Sequence, residues 1–212
     1  RYNSNLSRVR FGKHYLYDWL PQAKDWTMCA SIDGIGEIGE FIRTGLDWEQ
    51  WDKNFREGVA LPGGNDKMLM DLTLTGPGMF GIKDLFDYAL ELDVKIETKR
   101  MFAFHDDIVM SPMAWPRHIL DRIIHENLDY IRPRATRKQE TLIRELENML
   151  NVPTFQEQWP DTAEDHFFNG RQWQKTIADM RPNEALTIEQ IYSKDLELFD
   201  WWMRPDKKHN SR

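Results

Sequence analysis

Apolar and polar positions along the chain alternate between two periods, and the periods change in a regular order. Trp26 to Ile32 is an apolar run closed by Asp33-Gly34, which predicts a buried strand. From Asp47 to Leu61 the spacing lengthens to that of a helix. Trp48, Trp51, Phe55 and Val59 share one face, and Asp47 stands where an N-cap is needed. Pro62-Gly63-Gly64-Asn65 is a turn, after which Lys67 to Thr75 reads as a strand stopped by Gly76-Pro77-Gly78. Ile82 to Leu92 is helical through Ile82, Leu85, Phe86 and Ala89, and Val94 to Phe104 returns to strand. Upstream, Arg1 to Asn5 reads as a strand end, and Lys13 to Leu20 as a short helix closed by Pro21. Strands joined by helix-length connections pair in parallel with right-handed crossovers, so the class expected is α/β.

The pattern changes at Pro116. Arg117 to Tyr130 and Thr136 to Leu150 are helical, and no strand pattern follows. Short helices are expected over Gln172 to Met180 and Thr187 to Trp202, among polar loops rich in Trp and Phe. Repeats and low-complexity linkers are absent from the sequence. The expected division is an α/β segment over residues 1–116 and a mostly helical extension over 117–212.

Composition narrows the function classes. The 212 residues, with nine Trp, eleven Phe and ten Met, can bury a substantial core. A net charge of −7 argues against a protein that holds nucleic acid by neutralising phosphates. A single cysteine, Cys29, allows no internal disulfide and fits a reducing compartment. No apolar run reaches the roughly 18 residues of a membrane span, so a cytoplasmic location is the expectation. The chain opens on Arg1 in what reads as mid-domain sequence, from which an N-terminally truncated fragment is expected.

The densest chemistry is Ala30-Ser31-Ile32-Asp33-Gly34, with Arg43 twelve residues after the serine. Parallel α/β sheets bind ligands beyond the carboxyl ends of their strands. A hydroxyl, a carboxylate and a guanidinium there make a small-molecule site. Gly34-Ile35-Gly36-Glu37-Ile38-Gly39 matches G-x-G-x-x-G formally. Glu37 and Glu40 would face the pyrophosphate, however, and the segment about twenty residues on is a helix where the ribose-binding acid should end a strand. Dinucleotide binding is therefore disfavoured.

Three segments together resemble the radical S-adenosylmethionine superfamily, in its twitch-domain branch. They are Ser31-Ile32-Asp33-Gly34, Phe41-Ile42-Arg43 and Asp47-Trp48-Glu49-Gln50-Trp51, and Tyr2-Asn3-Ser4-Asn5-Leu6 is similar to that family's upstream strand end. The likeness is sharpest over residues 1–60, looser to about 130 and absent beyond. It implies the C-terminal part of a partial (β/α) barrel followed by a helical extension. Ser31 would hydrogen-bond the methionyl or ribose part of S-adenosylmethionine and Arg43 would pair with its carboxylate. Asn3 and Asp33 join the cofactor-binding set, Asp33 as a brace for the turn. The implied parent enzyme cleaves S-adenosylmethionine reductively to a 5′-deoxyadenosyl radical that abstracts hydrogen from a small-molecule or peptide substrate, with electrons from a flavodoxin or ferredoxin. Its 4Fe–4S cluster needs a C-x-x-x-C-x-x-C triad, which one cysteine cannot provide. Those ligands and the G-G-E run are expected upstream, and no auxiliary cluster is expected. The alternative is a non-catalytic relative serving as a binding or interaction module.

The remaining candidates are weaker. His105-Asp106-Asp107 follows a strand and is either a metal, acid–base or substrate-contacting group, with His105 the residue named for substrate, or the polar start of a loop. A metal-dependent hydrolase around His105 is the corresponding rival function. His118 and His125 lie two helical turns apart, too far for joint ligation. Arg132, Arg134, Arg137 and Lys138 form a basic knot, either a solvated surface or a docking point for a peptide or phosphate. Cys29 reads as inert core.

Overall fold

The computed structural model describes residues 1–101, 109–181 and 186–205. Six strands occur in it: β1 (Tyr2–Ser4), β2 (Arg10–Phe11), β3 (His14–Tyr15), β4 (Met28–Ile32), β5 (Met68–Leu74) and β6 (Lys95–Arg100). Between them lie α1 (Leu16–Trp19), α2 (Gly36–Ile42), α3 (Trp48–Val59), α4 (Gly64–Lys67) and α5 (Ile82–Glu91). Six helices follow: α6 (Arg117–Ile131), α7 (Glu140–Asn151), α8 (Phe155–Gln158), α9 (Ala163–Asp179), α10 (Ile188–Tyr192) and α11 (Leu196–Met203). None of the helices described is long and apolar enough to cross a membrane.

Four strands form one parallel sheet in the order β1-β4-β5-β6, with Asn3 opposite Cys29, Ser31 opposite Asp71 and Asp71 opposite Glu97. The period of two divides its faces. Met28, Ala30 and Ile32 of β4, with Met68, Met70, Leu72 and Leu74 of β5, are buried in the core. The opposite face carries Asn3, Ser31, Asp71, Thr73, Glu97 and Lys99. There Lys99 pairs with Asp71 at 3.0 Å, and Arg1 donates to Glu97 at 2.5 Å and to Cys29 Sγ at 2.8 Å. Parallel sheets are usually apolar on both faces; this one has a polar, chemically equipped face.

The β6 edge is capped from the helical half. Gln139 donates to the Val94 carbonyl at 3.1 Å and Thr141 donates to the Ile96 carbonyl. Side chains thus occupy carbonyls that a bare edge would offer to another chain. One apolar cluster runs through both halves, from Leu6 to Trp202, without a break at Pro116. Trp115 meets Tyr192 edge-on at 5.8 Å, and Tyr192 meets Trp202 at 5.3 Å. A Cβ on Gly76 would collide with the Tyr192 hydroxyl, so only glycine allows that approach. A bidentate pair from Arg122 to Asp195, at 2.6 and 3.1 Å, ties α6 to the start of α11.

Several segments differ from expectation. Lys13–Leu20 is not one helix: β2 and β3 form a hairpin around Gly12-Lys13, with Gly12 at φ +58°, and α1 begins only at Leu16. Pro21 lies inside the following 3₁₀ turn rather than ending the helix. The helix expected from Gln172 begins nine residues earlier, at Ala163. Residues 187–202 form two helices, divided where the Asp195 side chain accepts the Leu198 N–H and starts α11. The strand expected over Val94–Phe104 is β6, ending at Arg100; Phe102 to Phe104 lie outside the described residues.

The Arg122 hydrogen bonds and charge hold the Asp195 carboxyl below its ordinary range. A depressed folded-state pKa gives stability that is present above the unfolded value and lost as pH falls through the folded one. The Asp195→Asn variant is therefore expected to melt below the wild type at neutral pH and to converge with it below about pH 4. Thermal unfolding across that range checks this; parallel curves at all pH values would contradict it.

Candidate functional site

Where β4 ends at Ile32 the chain turns through Asp33, only 8% exposed. A buried carboxylate needs partners, and this one has two. Its Oδ2 accepts from Arg43 Nε at 2.6 Å, and its Oδ1 accepts from the Thr73 backbone N–H at 3.1 Å. One side chain thereby joins the turn after β4, the carboxyl half of β5 and the residue that ends α2. Arg43 takes an extended conformation there (φ −111°, ψ 92°), which carries it off the helix, while its N–H still closes the last turn on the Gly39 carbonyl.

The glycines of the Gly34-to-Gly39 run serve this turn. Gly36 has φ +55°, in the left-handed region that favours glycine. A Cβ on Gly39 would overlap the Gly34 carbonyl, so α2 can fold back over the turn only with glycine there. A Cβ on Gly78 would lie 2.8 Å from both the Asp33 carbonyl oxygen and Thr75 Oγ1, which brings the turn after β5 against the same point. The glycines permit close backbone packing around Asp33, a sufficient reason for the G-x-G-x-x-G spacing without a pyrophosphate.

Two groups at this strand end keep donor capacity. Ser31, half-buried on the polar face, makes no side-chain hydrogen bond among the described residues. The Arg43 guanidinium uses Nε for Asp33, and its two terminal nitrogens have no partner among the described residues; its side chain is 31% exposed. A guanidinium oriented at Nε and open at its terminal fork suits a carboxylate or phosphate. Both oxygens of Asp33 already accept, which makes it a positioning group. Asn3 lies exposed on β1 at the level of Cys29, nearer the amino end of the sheet than Ser31. His105 lies outside the described residues.

The polar-face neighbours Asp71, Thr73 and Lys99 were not singled out from the sequence. The polar positions 71 and 73 between apolar Leu69, Met70, Leu72 and Leu74 are the signal that marks Asp71 and Thr73; Lys99 faces them only through the register of β5 with β6.

Most of the other candidates have structural partners. His118 is exposed and 2.9 Å from Glu197, His125 is exposed, and no group of three potential metal ligands forms among the described residues. In the basic knot Arg132 pairs with Glu147 at 2.7 Å, Arg134 with Asp87 at 2.7 Å, and Lys138 with Asp66 and Asp93 at 2.8 and 3.0 Å. Cys29 is a buried free thiol.

No protein-family model, no curated protein and no solved structure matches this chain.

Asp33→Ala leaves the Thr73 N–H without its acceptor and frees Arg43; the expected cost is about 1–3 kcal/mol in urea unfolding. Asp33→Asn keeps a side-chain acceptor and is expected to lose less. Equal losses would show that the bridge does not depend on those hydrogen bonds.

Proposed function

We propose that this chain is the S-adenosylmethionine-holding part of a radical S-adenosylmethionine enzyme, its parallel sheet forming part of a (β/α) barrel with a helical extension. The observation that carries the reading is Arg43, clamped at Nε by Asp33, two residues on from Ser31; the terminal nitrogens of Arg43 and the Ser31 hydroxyl have no hydrogen-bond partner among the described residues. Successive parallel strands lying side by side in chain order, with a polar face opposite the packed one, support the barrel segment. In this role Arg43 binds the methionyl carboxylate through its terminal fork. Ser31 donates to a ligand oxygen, and Asp33 keeps the guanidinium in place.

S-Adenosylmethionine, once bound in such an enzyme, supplies the 5′-deoxyadenosyl radical for hydrogen abstraction. The donor set for the cluster does not fit these residues. A 4Fe–4S cluster of this class needs three thiolates, and the sequence has one, buried on β4. Any cluster ligands, and the flavodoxin or ferredoxin that would reduce it, belong to the reading outside these 212 residues. The lone thiol also favours a second reading: a relative that binds S-adenosylmethionine at the same place as a non-catalytic module.

Calorimetric titration of the full chain tests the shared claim. S-Adenosylmethionine is expected to bind one per chain, and Arg43→Met to weaken it about ten- to a hundredfold, the worth of a charge-assisted hydrogen bond. Decarboxylated S-adenosylmethionine, which lacks the group Arg43 would hold, is expected to bind wild type and Arg43→Met alike. Ser31→Ala is expected to cost several-fold. No saturable binding, or equal sensitivity of both ligands to Arg43→Met, would overturn the assignment.

A further inference from the structure

We infer that the open edge of the sheet at β1, with the cleft beside it, is a docking site for an acidic peptide that adds to the sheet as an extended strand. The two edges of the sheet differ. Along β6 the Val94 and Ile96 carbonyls accept from Gln139 and Thr141, whereas among the described residues no strand pairs with the outer side of β1. In parallel pairing, successive residues turn their main-chain groups to opposite sides. The Tyr2 N–H is spent on the Thr27 carbonyl at 2.8 Å, so the N–H and carbonyl of Asn3 face outward. Neither has a partner among the described residues, which is the arrangement that receives an added strand.

A cleft of about 570 Å³ runs beside this edge. All three residues of β1 line it, together with Leu16, Trp19, Leu20 and Met28. Of these, Leu20 and Met28 are buried, while Tyr2 and Trp19 remain 53% and 56% exposed. Two large rings left that open beside an unpaired edge offer apolar contact to alternate side chains of an incoming strand.

The charge around the cleft specifies the partner. Residues 1–27 contain five Lys or Arg against two Asp, in a chain that carries −7 overall. The β2–β3 hairpin adjoins the cleft through His14, whose ring lies 5.8 Å from that of Trp19. Arg8, Arg10 and Lys13, in and just before that hairpin, are exposed and pair with no carboxylate among the described residues. Arg10 lies over the Tyr15 ring at 3.9 Å. Of the neighbouring acids, Glu57 accepts from the Tyr15 hydroxyl at 2.5 Å and Asp18 is exposed on α1. Three unpaired cations near an apolar cleft and a free strand edge match a chain of alternating acidic and apolar side chains.

The site is separate from the Arg43 fork. Met28 belongs to the packed face of the sheet and Ser31 to the opposite one. Its test is accordingly independent of S-adenosylmethionine.

The probe is a fluorescein-labelled peptide of alternating glutamate and valine, titrated into the full chain by fluorescence anisotropy. Its counterpart carries glutamine in place of each glutamate. The expected result is saturable one-to-one binding of the glutamate peptide, about tenfold tighter than the glutamine peptide, with slowed hydrogen exchange at the Asn3 amide. Asn3→Pro removes the outward N–H at an edge position where proline is tolerated. It is expected to keep the thermal midpoint and to weaken the peptide about five- to tenfold. Arg8→Gln combined with Lys13→Gln, both at exposed positions, is expected to weaken the glutamate peptide about tenfold and to leave the glutamine peptide unchanged. No saturable binding, equal binding of the two peptides, or binding that Asn3→Pro does not weaken would overturn the site. Tighter binding of labelled oligothymidylate or of phosphatidylserine vesicles, or a wild-type dimer that Asn3→Pro dissociates, would overturn it too, and would assign the surface to nucleic acid, a membrane or a second copy.

Discussion

A carboxylate that is only 8% exposed must be matched by donors, and the way Asp33 is matched sets the geometry of the strand end around it. Its two oxygens are held by groups far apart in sequence: the Thr73 N–H, forty residues on, and Arg43 Nε, ten residues on. Breaking such a bridge on one side leaves the other group desolvated and unpaired, a larger effect than the net worth of the intact bridge. The same contact orients Arg43. With Nε fixed, the guanidinium presents its terminal fork in one direction, and a ligand need not supply the ordering that binding otherwise requires.

The packing around that bridge explains residue choices that would otherwise suggest unrelated chemistry. Gly36 is in the left-handed region, Gly39 lies against the Gly34 carbonyl, and Gly78 lies against the Asp33 carbonyl. The helical half contributes through its aromatic residues. Trp115, Tyr192 and Trp202 continue the core across Pro116 and set α10 and α11 beside α9. A sheet face with Asp71–Lys99 and Arg1–Glu97 pairs lies in one fold continuous with the helical half.

How much of this the sequence disclosed depended on the range of the interaction. The strand β4 and the helices α3 and α5 follow from local periodicity and caps. Trp51, Phe55, Leu85 and Phe86 are buried as their spacing requires, and Asp47 accepts the Gln50 N–H at 2.9 Å. Periodicity misled where apolar positions were sparse or turn chemistry dominated. Gly12 at φ +58° makes a hairpin of a stretch that reads as helical. The buried positions of α9, Ala163, Phe167 and Gly170, are too few, and all but Phe167 too small, to announce its first turns. The residue types of the site were legible, Ser31, Asp33 and Arg43 alike. Their pairing was not, because Thr73 enters only through the parallel register of β4 with β5.

The central claim is that Asp33 holds Arg43 by Nε so that the terminal nitrogens receive a ligand carboxylate. Side-chain nitrogen NMR of Arg43, with and without S-adenosylmethionine, reads both ends of the guanidinium at once. The account predicts that the Nε–H signal stays in its Asp33-bonded position while the terminal nitrogens shift and their rotation slows. Terminal nitrogens unmoved at saturating ligand, or an Nε signal that leaves Asp33 when ligand binds, would contradict it.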